Sequence, residues 1–102
     1  DIYVVGRKDG QGAYKAVYWK NGEEFVLPSD KYSEASAVHI THTGDVFIAG
    51  VEFDDSGLRR VVYWKNGEKV PLATNMVYNT FASDIEVSNA GDVYVVGHEV
   101  DE

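Results

Sequence analysis

Three histidines, a scatter of carboxylates and two Tyr-Trp pairs are the residues of this chain with chemistry to offer. His39, His42 and His98 lack the H-E-x-x-H spacing, or any other tight spacing, of a zinc site. Asp9 and the Asp54–Asp55 pair stand in DGQG and DDSG segments. A calcium loop needs three oxygen-bearing residues at alternate positions, a glycine, and a glutamate six residues further on, and neither segment supplies them. Asp-Gly and Asp-Ser-Gly read as turns. No G-x-S-x-G and no G-x-x-x-x-G-K-[ST] occurs, and nothing in the order of Ser, His and Asp marks a triad. Glu34 and Asp84 are the two carboxylates whose pairing would resemble a glycosidase. Cysteine is absent, which removes disulfides, thiolate metal sites and cysteine nucleophiles. The chain therefore reads as non-catalytic, with no catalytic residue, no metal and no cofactor assigned.

Charge and composition narrow the partners. Seventeen acidic residues against nine basic ones give a net charge of −8, which repels phosphate backbones, so nucleic acid is not an expected partner. No apolar run approaches the ~18 residues of a membrane span, and no membrane insertion is expected. With 102 residues, 44% of them hydrophobic and 25% charged, the chain fits one folded domain. It opens directly on a strand-like run without a signal peptide and reads as a fragment or processed product.

The elements that must position these groups are announced by self-similarity. DIYVVG at Asp1–Gly6 returns as DVFIAG at Asp45–Gly50 and as DVYVVG at Asp92–Gly97, at spacings of 44 and 47 residues. GAYKAVYWKNGE at Gly12–Glu23 returns as GLRRVVYWKNGE at Gly57–Glu68. EASAVHITHTG at Glu34–Gly44 returns as FASDIEVSNAG at Phe81–Gly91. Each repeat reads as four strands. The first is 35–41 and 82–88, and the second is 45–51 and 92–98. A polar loop follows at 52–57 and 7–12. The third strand is 58–65 and 13–20, and the fourth is 68–73 and 23–28. Asn21–Gly22 and Asn66–Gly67 join the third strand to the fourth; Asn-Gly between β-formers is the strongest short hairpin signal, because a type I′ turn needs positive φ at both central positions. Asp45 and Asp92, each after a glycine, recur with Asp1 and are expected to hydrogen-bond at the turn. Imidazole does not recur: His39 aligns with Glu86 and His42 with Asn89.

The strands are apolar on both faces, so each sheet must be covered on both sides. All-β meanders of four strands, repeated every ~40–50 residues and sandwiched between copies of themselves, are the pattern of propeller blades. The small residues Ala35, Ser36, Ala37, Ala82 and Ser83 suit the crowded innermost strand. Strands two to four of one blade occupy 1–28, a full blade 35–73, and strands one and two of a further blade 82–98, within a single module of 1–102.

The run A-x-x-hydrophobic-x-hydrophobic-x-x-x-G-D-V-Y-V-x-G resembles the bacterial seven-bladed β-propeller (SBBP-type) repeat, and the Y-W-K-N-G-E block is similar to propeller repeats of uncharacterised secreted bacterial proteins. The WD40 signature and the kelch double glycine are absent. The resemblance implies an extracytoplasmic, secreted or cell-surface setting and a binding or scaffold role. Fewer than three blades cannot close a propeller, so the expected partners are further copies of the chain or the remainder of a larger propeller. A self-assembling piece without a dedicated ligand and a piece of an extracellular enzyme are the alternatives.

Trp19 and Trp64 recur in register with Tyr18 and Tyr63 and are expected to pack between blades. The residues expected to bind a glycan or protein ligand are those that do not recur. Tyr32, Glu34, Asn75, Tyr78, Asn79 and Phe81 lie in or beside the connection from fourth to first strand, on the face where loops of a rigid scaffold commonly carry function.

Overall fold

The structure, a computed structural model, describes residues 1–10, 13–29, 32–72 and 80–99. Among them are nine strands and no helix: β1 (Tyr3–Gly10), β2 (Ala13–Lys20), β3 (Glu23–Val26), β4 (Tyr32–Ile40), β5 (Val46–Phe53), β6 (Arg59–Lys65), β7 (Glu68–Pro71), β8 (Thr80–Val87) and β9 (Val93–Glu99). They form three antiparallel meanders: a first sheet β1-β2-β3, a middle sheet β4-β5-β6-β7 and a last sheet β8-β9.

The turns show why these sequences become hairpins. Asn21 and Asn66 both sit at φ 51°, followed by Gly22 at 87° and Gly67 at 88°, the positive pair that a type I′ turn demands. Each asparagine also clamps the strand beside it. The Asn66 carboxamide oxygen accepts from the Val46 N–H at 2.9 Å, and its amide donates to Asp45 Oδ1 at 3.2 Å. The Asn21 side chain does the same to Ile2 N–H, at 2.9 Å, and to Asp1 Oδ1, at 3.1 Å. At the turns between first and second strands, Asp45 N–H donates to Thr41 Oγ1 at 3.0 Å, and Asp92 N–H to Ser88 Oγ at 3.1 Å. Asp1 and Asp45 thus play the same part in two repeats, each accepting from the asparagine of the adjacent Asn-Gly turn.

Several boundaries differ from the pattern reading. β1 continues through Arg7, Lys8, Asp9 and Gly10, and β5 takes in Glu52 and Phe53, where polar loops were expected. Cross-strand pairing runs out through Asp9↔Tyr14 and Phe53↔Arg59, so these residues continue the ladder. The first strand starts early, at Tyr32 and Thr80, because Tyr32 pairs with Phe53 and Thr80 with Glu99. The fourth strands stop at Val26 and Pro71, short of Pro28 and Ala73.

Two cores lie on the two faces of the middle sheet. On one, Ile48, Val62 and Trp64 pack with Ala35 against Ala16 and Leu27 of the first sheet's segment; Trp64 is fully buried and its Nε1–H donates to the Pro28 carbonyl at 2.7 Å. On the other, Ala37, Phe47 and Ala49 pack against Ala82 and Ile85 of the last sheet. A β-bulge at Ser36 switches β4 from one core to the other, Ala35 facing the first and Ala37 the second. The matching bulge in β8 falls at Ser83. Ser36 Oγ–H donates to the Ala82 carbonyl at 2.6 Å and joins β4 to β8, so small residues here serve close approach of strands.

Candidate functional site

The edge of the molecule where β1 runs into β2 and β5 into β6, with the starts of β4 and β8, gathers several of the non-repeating residues. The β5–β6 turn is built by Asp54. Its Oδ1 accepts from Ser56 Oγ–H at 2.6 Å, from Ser56 N–H at 2.9 Å and from Leu58 N–H at 3.2 Å, while Gly57 supplies φ 90°. The Ser56 hydroxyl, followed by the two backbone donors, holds the Asp54 carboxyl below its ordinary range. That carboxylate is spent on the turn. Among the described residues no cluster of three His, Asp or Glu side chains forms a metal site.

Around this turn lies a cluster of rings and charges. Tyr32 Oη–H donates to Asp55 Oδ1 at 2.7 Å, and its ring stacks on Phe53 with centroids 5.5 Å apart. Tyr14, from β2, meets Phe53 at 6.1 Å. Glu34 lies between two guanidinium groups: Arg7 Nη1 is 3.0 Å from one oxygen, and Arg59 Nη1 is 3.4 Å from the other. Arg7 sits over the Tyr14 ring at 4.3 Å, and Arg59 over Phe53 and Phe81 at 5.1 and 5.0 Å. Charge is thus stacked against ring faces, where partial removal from water strengthens cation–π attraction. Three sheets contribute: Arg7 and Tyr14 from the first, Tyr32, Glu34, Phe53 and Arg59 from the middle, Phe81 from the last. Tyr14 stays accessible at 37% exposure.

Of the residues singled out in the sequence, Tyr32, Glu34 and Phe81 meet in this cluster, though all three belong to strands. Asn75, Tyr78 and Asn79 lie outside the described residues. Glu34 and Asp84 are engaged separately. Glu34 holds the two arginines, and Asp84 Oδ1 accepts from the Ile85 N–H at 2.8 Å beside the bulge. Pattern reading missed Arg7, Tyr14, Phe53 and Arg59. Their signal was divergence at otherwise repeating positions, since Tyr14 stands where the next repeat has Arg59, and Phe53 where the first has Asp9.

The opposite edge carries a concavity. Between the turns 41–45 and 88–92 lies a groove of about 500 Å³ whose lining includes His39, His42, Asp45, Lys65 and Asn89. His39 Nδ1 lies 3.7 Å from Glu86 Oε2 on the neighbouring strand β8. His39 and His42, unrelated by spacing, thus share one groove. Comparison with family models, curated protein sequences and solved structures returns no match.

Proposed function

We propose that the chain is a run of consecutive β-propeller blades that serves as a non-catalytic binding module. A carbohydrate is held on the edge formed by Tyr14, Tyr32, Glu34, Phe53 and Arg59. The blade reading is supported by antiparallel meanders of up to four strands, packed face to face and repeating at 44 to 47 residues. The binding reading is carried by one observation, the segregation of sameness and difference. Asn-Gly turns, Asp clamps and the Tyr-Trp strand recur, while Tyr14, Tyr32, Glu34, Phe53, Arg59 and Phe81, which change between repeats, meet on one edge. Repeat scaffolds place their specificity in this way, on loops and strand ends held by an invariant frame. Ring faces suit the C–H faces of sugars. Arginine forks and carboxylates suit hydroxyl pairs, as polar donors and acceptors. Glu34 and Asp84, the two carboxylates that could have formed a catalytic pair, are engaged separately, Glu34 by two arginines and Asp84 by the Ile85 N–H, which supports a role in binding without turnover.

The test is titration of the chain with a panel of soluble polysaccharides, followed by isothermal calorimetry. Saturable binding that Tyr14→Ala weakens at least tenfold, and that His42→Ala on the opposite edge leaves unchanged, is the expected result. Binding lost only in His42→Ala would move the site to the groove at 41–45 and 88–92. Saturable binding to an immobilised peptide library, with none to any glycan, would replace the carbohydrate by a polypeptide.

A further inference from the structure

The two ends of the sheet stack expose the faces that are buried at its centre. In the first sheet, Val4 pairs with Trp19 and Val26 with Val17, so these side chains share the face turned away from the middle sheet. Ile2, Val4 and Val26 are 72%, 53% and 55% exposed there. The equivalents of Val4 and Trp19 in the middle sheet are Ile48 and Trp64, 2% and 0% exposed, and they are covered by the first sheet itself. At the other end, Tyr94 and Val96 face away from the middle sheet, 58% and 53% exposed. Their equivalents, Phe47 and Ala49, are buried against the last sheet. Each bare face is therefore a copy of one half of an interface the molecule already contains. Five of the seven large exposed apolar side chains among the described residues are Ile2, Val4, Val26, Tyr94 and Val96, all on these two faces. Apolar surface gathered into such patches marks an interaction site.

Charge fixes which face meets which. The outer face of the first sheet carries Lys8, Lys15 and Glu24, for a net of +1, by their pairing positions. Among the described residues the outer face of the last sheet carries Asp84 and Glu86 by their positions opposite Val96 and Tyr94, for a net of −2, Glu86 at its inner margin lying 3.7 Å from His39 of the middle sheet. First face on first face, or last on last, brings like charges together; first on last brings opposite ones.

Resting on the reading of the sheets as repeats of one unit, but independent of any ligand, we propose that a second copy of the chain docks here head to tail. The Tyr94/Val96 face of one copy covers the Val4/Trp19 face of the next, reproducing the contact between first and middle sheets. Such a contact is heterologous, so it leaves one face of each kind free and adds further copies until rotation closes a ring.

Light scattering behind a sizing column tests this on the 102-residue chain, whose mass is 11.3 kDa. At high micromolar concentration the average mass is expected at twice that value or above. Val4→Glu and Val96→Glu each put a charge on an exposed site, and each alone is expected to give a monomer. Mixed together they restore a dimer and nothing larger, because each retains the face the other lacks. Circular dichroism and thermal melts confirm that both variants fold. A wild-type chain that stays monomeric, association that persists in Val96→Glu alone, or a mixture that stays monomeric would overturn the proposal. Loss of glycan binding with intact association, or the reverse, separates its failure from that of the binding reading.

Discussion

The first and middle sheets are made from nearly the same residues and share their strand order, their Asn-Gly turns and their aspartate clamps, yet they differ in what covers them. Trp64 is sealed between sheets, whereas Trp19, at the same place in the same Tyr-Trp-Lys strand, is partly exposed. The charges differ more instructively. In the first sheet Lys8 on β1 reaches across to Glu24 on β3 at 2.9 Å. In the middle sheet the equivalent residues are Glu52 and Lys69, again at 2.9 Å but with the signs exchanged. The pair bridges second and fourth strands in both, so geometry is conserved while polarity is free. Exposure separates them: the Lys8 and Glu24 side chains are 55% and 35% exposed, those of Glu52 and Lys69 only 4% and 19%. The buried version adds a third member, Arg60, 3.2 Å from Glu52, where the first sheet has Lys15 opposite Lys8. A charge hidden in a sheet interface needs its counter-ions in place; a solvated one does not.

The largest effect should come from the tryptophans. Trp64→Ala removes a fully buried indole and its bond to Pro28 and is expected to cost about 3–5 kcal/mol. Trp19→Ala, measured by urea denaturation at concentrations where the chain is monomeric, should cost less than half as much. Equal costs would break the comparison, since they would mean that Trp19 is as well packed as its counterpart.

Glycines give the next contrast. A Cβ on Gly50 would collide with the Glu34 carbonyl oxygen and come within 2.9 Å of Ala35 Cα, because β4 lies against it. A Cβ on Gly6 meets only the Trp19 ring, at 3.5 Å. Gly50→Ala should therefore destabilise by about 3 kcal/mol, the upper range for overpacking, and Gly6→Ala by a small fraction of that. Thermal melts of the two variants compare them directly. A mild Gly50→Ala would show that the bulge at Ser36 can slide to make room.

The smallest of the three concerns the ion pairs. Glu52→Ala leaves Lys69 and Arg60 facing each other in a mostly buried place and is expected to cost about 2 kcal/mol, somewhat below the range for fully buried pairs. Lys8→Ala should stay within about 0.5 kcal/mol, as exposed pairs do. The exchange Glu52→Lys with Lys69→Glu sharpens the point. It reproduces the first sheet's polarity but sets the introduced ammonium against the Arg60 guanidinium, so chemical denaturation should show only partial recovery relative to Glu52→Ala.

How much of this was legible before the structure varies by kind of residue. Strand number, antiparallel pairing and the Asn-Gly hairpins were readable because they rest on local rules, namely short runs of β-formers between turn residues and positive φ at two successive positions. Tyr32, Glu34 and Phe81 stand out because they break the repeat. Arg7 and Arg59 break the repeat as well, but nothing in sequence says that residues 27 and 25 positions away from Glu34 converge on it. Hairpin tips read as loops because Glu52, Arg7 and Asp9 look polar, and only cross-strand pairing shows that they continue the ladder.

By itself, then, the sequence determined that this chain forms short twisted meanders with turns of a defined type, for those depend on contacts between residues close along the chain. Tertiary structure alone decided which tryptophan is buried, which ion pair is dry and which edge gathers arginines and rings. Those outcomes depend on what lies across a sheet interface, where the partner is distant in sequence and the same residue meets protein in one repeat and water in the next.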